Sequence, residues 1–348
     1  MDDPVEIELK LEADPAGLAA LIDSGLLPSP GKRKRLHSIY YDTPRHEVLA
    51  HGFTLRVRKE GRDYIQTVKA EAGGAAGLFA RNEWEWPAGD FSPDLGKTDL
   101  PFTGRIDPRT IRRVRPLFET DMDRIACVTD HDGAKIELAI DTGNVCAGDQ
   151  ASPLCEIELE LLDGPAAPLF EFARAIDQQI PVRIGVLSKA ERGYALARPK
   201  SQPVKAHRAP EVRLKAGDDA ATCFRKIASS CIRHYRMNET LLLDTGAAEP
   251  LHQARVALRR LRSAFSLFKP LLATDPRSEM LRAEIKWLAS ELGRIRNLDV
   301  LIKRTRGKTR KQLMVVRAEA FAHLLPTINS ARTRLLMIDL VEWLELGE

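Results

Sequence analysis

Val5-Glu6-Ile7-Glu8-Leu9-Lys10-Leu11 alternates strictly between apolar and charged side chains. At a period of two, Glu6, Glu8 and Lys10 share one face of a strand, while Val5, Ile7, Leu9 and Leu11 share the other. The pattern recurs in Phe53-Thr54-Leu55-Arg56-Val57-Arg58, in Arg81-Asn82-Glu83-Trp84-Glu85-Trp86, in Lys135 to Asp141 and in Glu156-Ile157-Glu158-Leu159-Glu160-Leu161. A solvated outer face accounts for any one of these strands taken alone. Five strands with dense charge of both signs on one face favour a shared polar lumen, with the apolar faces outward beneath covering helices. Closing such a sheet into a barrel gives each charge a partner and removes exposed edges.

The chain has 348 residues and a net charge of +4, a length that points to two domains. The small net charge hides a split. Residues 1–199 hold 25 Lys and Arg against 33 Asp and Glu, and residues 200–348 hold 28 against 16. An acidic half and a basic half suit different partners, cations for one and a polyanion for the other. Five cysteines (Cys127, Cys146, Cys155, Cys223, Cys231) contain no CxxC pair and read as small apolar residues. The N-terminus lacks a basic segment followed by an apolar core, and no run of 18 apolar residues occurs, so a cytoplasmic protein with no membrane partner is expected.

Residues 1–198 alternate strand patterns with short helices, expected near Pro15 to Asp23, Asp107 to Phe118 and Pro168 to Gln179. Turns are expected at Glu60-Gly61-Arg62-Asp63, Asp132-Gly133 and Gly73-Gly74. Residues 199–217 are rich in Pro, Lys and Arg without periodicity and read as a linker. From 218 to 348 the apolar period becomes 3.6, predicting an all-helical bundle with helices over Cys223 to Leu243, Leu251 to Leu272, Pro276 to Lys303 and Lys311 to Trp343. The fold class is thus α+β: a closed barrel with covering helices, then an all-α domain.

Carboxylates converging in a lumen need counter-ions, and hard divalent cations such as Mg²⁺ or Mn²⁺ take oxygen ligands. The remaining Arg and Lys side chains are donors for phosphoryl oxygens. Together they point to a metal-chelated polyphosphate. Zinc-spaced His/Cys clusters, a Walker loop and GxGxxG are all missing from the sequence.

The first strand resembles the ExExK signature of the CYTH superfamily, the triphosphate tunnel metalloenzymes. Further segments are similar in the same order: Tyr40-Tyr41-Asp42-Thr43-Pro44, Thr54 to Lys59, Gln66-Thr67-Val68-Lys69, Arg81 to Trp86, Phe118 to Arg124, Cys155 to Leu161 and Ser188-Lys189-Ala190-Glu191-Arg192-Gly193-Tyr194. The resemblance implies an eight-stranded antiparallel tunnel that hydrolyses a terminal phosphoryl group. It implies metal ligands at Glu6, Glu8, Asp141, Glu156 and Glu158, with Glu160 on the same face. It also implies a phosphate clamp of Lys10, Arg56, Arg58, Lys69, Arg81, Arg124, Lys189 and Arg192. Glu6, Glu8, Lys10, Arg56, Arg58, Lys69, Arg124 and Lys189 would carry catalysis. Glu83, Glu85 and Glu137 are equally explained as balancing charges, and Tyr40 and Tyr41 as wall packing.

In the basic half, His252, Arg255, Arg259 and Arg262 fall at spacings of 3, 4 and 3, one cationic stripe that an anion would relieve. Lys286, Arg294, Arg296 and Lys303 extend the charge along the next helix. The run from His252 to Arg262 and the stretch from Leu292 to Val300 resemble the CHAD module, a helical family associated with inorganic polyphosphate. A second histidine-and-basic helix does not follow, so the resemblance covers only the first half of such a module. The expected activity is inorganic triphosphatase, splitting tripolyphosphate into pyrophosphate and phosphate, with polyphosphate as partner of the helical domain. Nucleoside or thiamine triphosphate hydrolysis, ATP cyclisation and a non-catalytic polyphosphate-binding adaptor remain alternatives. Nucleic acid is not an expected partner, because residues 244–311 offer few aromatics for base stacking outside the apolar stripe.

Overall fold

The alternating segments pair edge to edge into a ring. The structure is a computed structural model that describes residues 5–27, 31–70, 76–97, 99–198 and 205–347. The expected Gly73-Gly74 turn, the extreme N-terminus and residues 199–204 of the linker lie outside the described residues. By its internal contacts the chain forms two units, one of residues 1–73 and 77–201, the other built on 202–348.

In chain order the first unit comprises β1 (Val5–Glu12), α1 (Pro15–Asp23), β2 (Lys32–Asp42), α2 (Glu47–Ala50), β3 (Phe53–Glu60), β4 (Asp63–Ala70) and β5 (Leu78–Ala88). It continues with α3 (Pro108–Ile111), β6 (Arg115–His131), β7 (Ala134–Ala147), β8 (Gln150–Asp163), α4 (Ala167–Gln179), β9 (Arg183–Ile184) and α5 (Lys189–Leu196). The strands run in the order β5-β4-β3-β2-β6-β7-β8-β1, and β1 pairs back onto β5 to close an eight-stranded barrel. Every pairing is antiparallel, and β9 adds a short extra strand beside Leu11 and Glu12. Asp132 and Gly133, both at positive φ (44° and 79°), make the tight β6–β7 turn.

On most walls the pleat sends apolar residues outward, although Leu36 of β2 and Met122 of β6 face the cavity. Leu9, Leu11, Ile157 and Leu159 are fully buried on the outside of β1 and β8, where α4 packs on both strands. Leu55, Val57 and Val68 join Leu100, Phe102 and Ile106 in a second outer core over β3 and β4. At about 25 cal/mol per Å² of apolar surface removed from water, these outer cores are what hold the barrel closed. The lumen is lined mainly by polar and charged groups, with Leu36, Met122 and Val128 among its apolar lining.

The expected helix from Asp107 to Phe118 is cut short: α3 ends at Ile111 and the chain is extended from Arg115. Pro116 explains the difference, because the residue before a proline is driven out of the helical region.

In the second unit α6 (Ala220–Thr245) ends at Gly246 in the left-handed conformation and leads to α7 (Ala248–Leu267), α8 (Lys269–Leu272), α9 (Pro276–Arg304), α10 (Gly307–Ile328) and α11 (Ala331–Leu346). Two sequence expectations are corrected here. The helix expected to run to Leu272 breaks after Leu267, ahead of Pro270. The helix expected over Lys311 to Trp343 is two helices. Ser330 restarts the chain by accepting from the Thr333 backbone N–H at 3.3 Å, an N-cap four residues after Pro326. Phe224, Phe265 and Trp343 form the aromatic centre of this bundle, with ring centroids 5.3–5.7 Å apart.

Candidate active site

The barrel encloses a cavity of about 890 Å³. Glu6, Glu8, Lys10, Arg56, Arg58, Lys69, Arg81, Arg124, Asp141, Glu158, Glu160 and Lys189 all line it. They come from seven strands and from α5, whose first residue is Lys189.

Opposite charges alternate around the lumen. Glu6 accepts from Lys69 Nζ at 2.6 Å and from Arg81 Nε at 3.4 Å. Glu8 accepts from Arg81 at 2.5 Å and from Lys10 at 3.2 Å. Glu83 pairs with Lys69 at 2.9 Å and Arg56 at 3.5 Å, and Glu85 with Arg58 at 3.6 Å. Deeper in, Arg124 grips Asp141 through both Nε (2.7 Å) and a terminal nitrogen (2.6 Å), and reaches Glu158 at 2.6 Å. Lys189 lies 2.7 Å from Asp141 and 2.9 Å from Glu158, and also bonds Glu156, while Lys10 bonds Glu158.

Asp141, Glu156 and Glu158 each offer an oxygen, and these atoms lie within 4.8 Å of one another. Burial works against all of these charges, and their neighbours decide the outcome. Burial raises Glu158, but Lys10, Lys189 and Arg124 outweigh it and hold the carboxyl well below its usual range. For Glu156 burial prevails over Lys189 and Lys10 and its pKa rises. Burial, followed by crowding from Glu6, Glu137 and Glu8, pushes Glu160 up to about 7. Lys189 stays well above its ordinary value, despite burial, because Asp141, Glu156 and Glu158 surround it.

A group of three buried carboxylates has the donor chemistry of a hard divalent cation. Nε of Arg56 and of Arg58 are buried without a hydrogen-bond partner. Both point to an anion, because a buried unsatisfied N–H is costly.

Two expected clamp or ligand residues sit apart. Arg192 does not line the cavity; it pairs with Glu12. Glu156 lies beneath the lining, in contact with Lys189 and Lys10. Tyr40 lines the wall and stacks on Phe118 at 4.5 Å. Tyr41 points outward, its hydroxyl on the Phe91 carbonyl, and burial, then Asp90, pushes it up to about 12. Sequence reasoning missed Lys32, Lys34 and Ser38 on β2 and Thr54 and Thr67 on β3 and β4, all of which face the cavity. The β2 set shares its face with Tyr40, but Arg33 and Arg35 put the same charge on the other face, so alternation does not mark Lys32 and Lys34.

The CYTH domain model matches residues 5–194. The chain belongs to the CYTH domain family. A CHAD domain model matches residues 226–348, through all of the helices from α6 onward, so the expectation of a half-module is set aside. Among curated relatives, the chain is similar to an inorganic triphosphatase of Haemophilus influenzae, 29% identical over 167 residues, which are 46% of this chain and 46% of that protein. The chain thus spans about half the length of this relative. Among solved structures it is similar to a Hippeastrum protein assigned as an adenylyl cyclase and described as having a dominant triphosphatase activity. That likeness has a TM-score of 0.43 and 18% identity, covering 55% of this chain and 95% of that one. It is also similar to a Bacillus halodurans protein assigned as an adenylate cyclase, with TM-score 0.37 and 16% identity, covering 55% and 98%. Likenesses this distant carry no functional argument.

In the helical unit, the predicted cationic residues divide. Burial first, then Arg296, with Lys303 and Arg259, pushes the His252 pKa down against the opposing charge of Glu249. Arg255 instead donates to the Ala289 carbonyl at 3.0 Å, close against Gly293, where an added Cβ would lie 2.2 Å from the guanidinium. Arg259, Lys286 and Lys303 are exposed, and Arg262 is half-buried. No described helix is long and apolar enough to cross a membrane.

Proposed function

We propose that the barrel hydrolyses inorganic tripolyphosphate to pyrophosphate and phosphate, using Mg²⁺ or Mn²⁺. The observation that carries this reading is the juxtaposition of three clustered buried carboxylates, Asp141 and Glu158 in the cavity wall and Glu156 just beneath it, with nine cations that line the same cavity. Glu6, Glu8, Asp141, Glu156, Glu158 and Glu160 are the residues that would hold metal. A bound divalent cation supplies charge neutralisation at the phosphoryl group and a more acidic attacking water. Lys10, Arg56, Arg58, Lys69, Arg81, Arg124 and Lys189 donate to phosphoryl oxygens and fix the chain in line for attack. Phosphoryl transfer asks for positioning and charge stabilisation more than covalent chemistry, and preorganised cations in a water-poor cavity provide both. Arg192, held by Glu12, is left out of this clamp.

Phosphate release from tripolyphosphate, ATP, thiamine triphosphate and long-chain polyphosphate, measured with Mg²⁺ and with EDTA, tests the reading. It expects metal-dependent release from tripolyphosphate far above the other three. Preference for ATP or thiamine triphosphate reassigns the substrate, and tight binding without release favours an adaptor.

A second reading concerns the helical unit: the face of His252, Arg259, Arg296 and Lys303 binds inorganic polyphosphate, with Arg262 and Lys286 flanking it. Its support is that His252 Nδ1 and an Arg296 terminal nitrogen are buried without a hydrogen-bond partner. Arg255 contributes to packing on α9. Titration calorimetry with polyphosphate should lose affinity on Arg296→Ala and with rising salt; unchanged affinity would remove this reading.

A further inference from the structure

We propose that Tyr194 and Asp42 are positioning residues that set the height of Lys189 in the lumen. The kinetic part of this inference rests on the triphosphatase reading above.

Lys189 is the first residue of α5, a helix of eight residues. A helix this short has no stability of its own, so its neighbours fix where its first residue points. Four contacts are prominent among those that hold it. Gly193 lies flat on Phe118, where a Cβ would come 2.0 Å from the ring. Arg192 pairs with Glu12 on β1. Gln150 Nε2 donates to the Leu196 carbonyl at 2.9 Å. The Tyr194 hydroxyl donates to Asp42 Oδ2 at 2.7 Å.

The last of these is the most directional. Asp42 is fully buried and is itself immobilised. Its Oδ1 accepts from the Thr43 N–H at 2.6 Å and the Val48 N–H at 2.9 Å, and its Oδ2 from the Leu49 N–H at 3.0 Å. Those three donors come from Thr43, just after β2, and from α2, whereas Tyr194 lies 152 positions after Asp42, in the last helix of the barrel unit. The bond therefore ties α5 to the wall that carries Tyr40 and Ser38. Tyr40 stacks on Phe118, and Tyr194 meets the same ring edge-on at 5.1 Å. At the other end of α5, the Lys189 ammonium must reach three carboxylates within about 3 Å. A small tilt of α5 would break that reach.

Tyr194→Phe isolates the effect. It keeps the ring packing and leaves Asp42 with three backbone donors, so the fold persists. We expect kcat for tripolyphosphate to fall about tenfold, the scale of one lost hydrogen bond, with KM within about twofold. In a Lys189→Met background the same change should cost no more than about twofold, because the group it positions is gone. An equal loss in both backgrounds, or unchanged kcat in the wild-type background, overturns the inference.

A second measurement needs no turnover. Acylation of lysines at fixed pH in the substrate-free protein, read by peptide mass spectrometry, should show Lys189 protected, and Tyr194→Phe should raise its modification about fivefold, with Lys59 on the surface unchanged. Unchanged protection of Lys189 overturns the positioning role. Increased labelling in a protein that never releases phosphate overturns the triphosphatase reading and supports the positioning role.

Discussion

Glu158 accepts from Lys10, Lys189 and Arg124 at once, and its side chain is 11% exposed. Removing its charge leaves three buried cations short of a partner, so Glu158→Gln should destabilise the metal-free protein by about 3 kcal/mol in urea unfolding. Glu85 at the rim, with its side chain 41% exposed, should change stability by no more than about 0.5 kcal/mol as Glu85→Gln. For activity, Glu8→Gln should lower metal-dependent phosphate release about a hundredfold at limiting Mg²⁺, recovering in part at high Mg²⁺. Arg56→Ala should chiefly raise KM. The inward positions of Glu6, Glu8, Lys10, Glu156, Glu158 and Glu160 are legible from alternation alone. Lys32 and Lys34 are not, because Arg33 and Arg35 fill the outward positions with the same charge and no period shows. Nor can alternation separate Arg192 from the clamp: its partner Glu12 lies 180 positions earlier.

At the scale of elements, the strand pairs depend on a few close approaches. Gly143 on β7 faces β6 so closely that a Cβ would lie 2.0 Å from the Asp121 carbonyl oxygen, a backbone atom that cannot step aside. Gly143→Ala should therefore cost about 3 kcal/mol of stability in a denaturant melt. At the restart of the last helix, Ser330→Ala should cost about 1 kcal/mol by removing the N-cap. The strands with one apolar and one charged face are readable from sequence, as are α1 and α4. The β6 strand is hidden because Pro108 and the following polar run imitate a helix start until Pro116 ends it. The α10–α11 break is hidden because apolar residues keep helical spacing across Asn329 and Ser330, so only the cap chemistry marks it.

At the scale of the whole molecule, the sign of the charge separates the two units. Nine carboxylates of residues 1–199 line one lumen and are matched there by nine cations, so the acidic excess of this half lies outside the lumen, while the excess of Lys and Arg after 200 falls in the helical unit. Two units with separate cores should unfold in separate transitions. Mg²⁺ with tripolyphosphate at about a hundred times Kd should stabilise the barrel transition by about 2.7 kcal/mol and leave the helical transition in place, as read by calorimetry with each unit's transition assigned by proteolysis.

The central claim is that the charged lumen cleaves a metal-bound triphosphate. Phosphorus NMR of tripolyphosphate with the full chain and Mg²⁺ addresses it directly. The account predicts conversion to equal amounts of pyrophosphate and phosphate, stopped by EDTA and nearly abolished in Glu8→Gln. Tripolyphosphate that stays intact with Mg²⁺ or Mn²⁺, or cleavage that proceeds equally in Glu8→Gln, would contradict it.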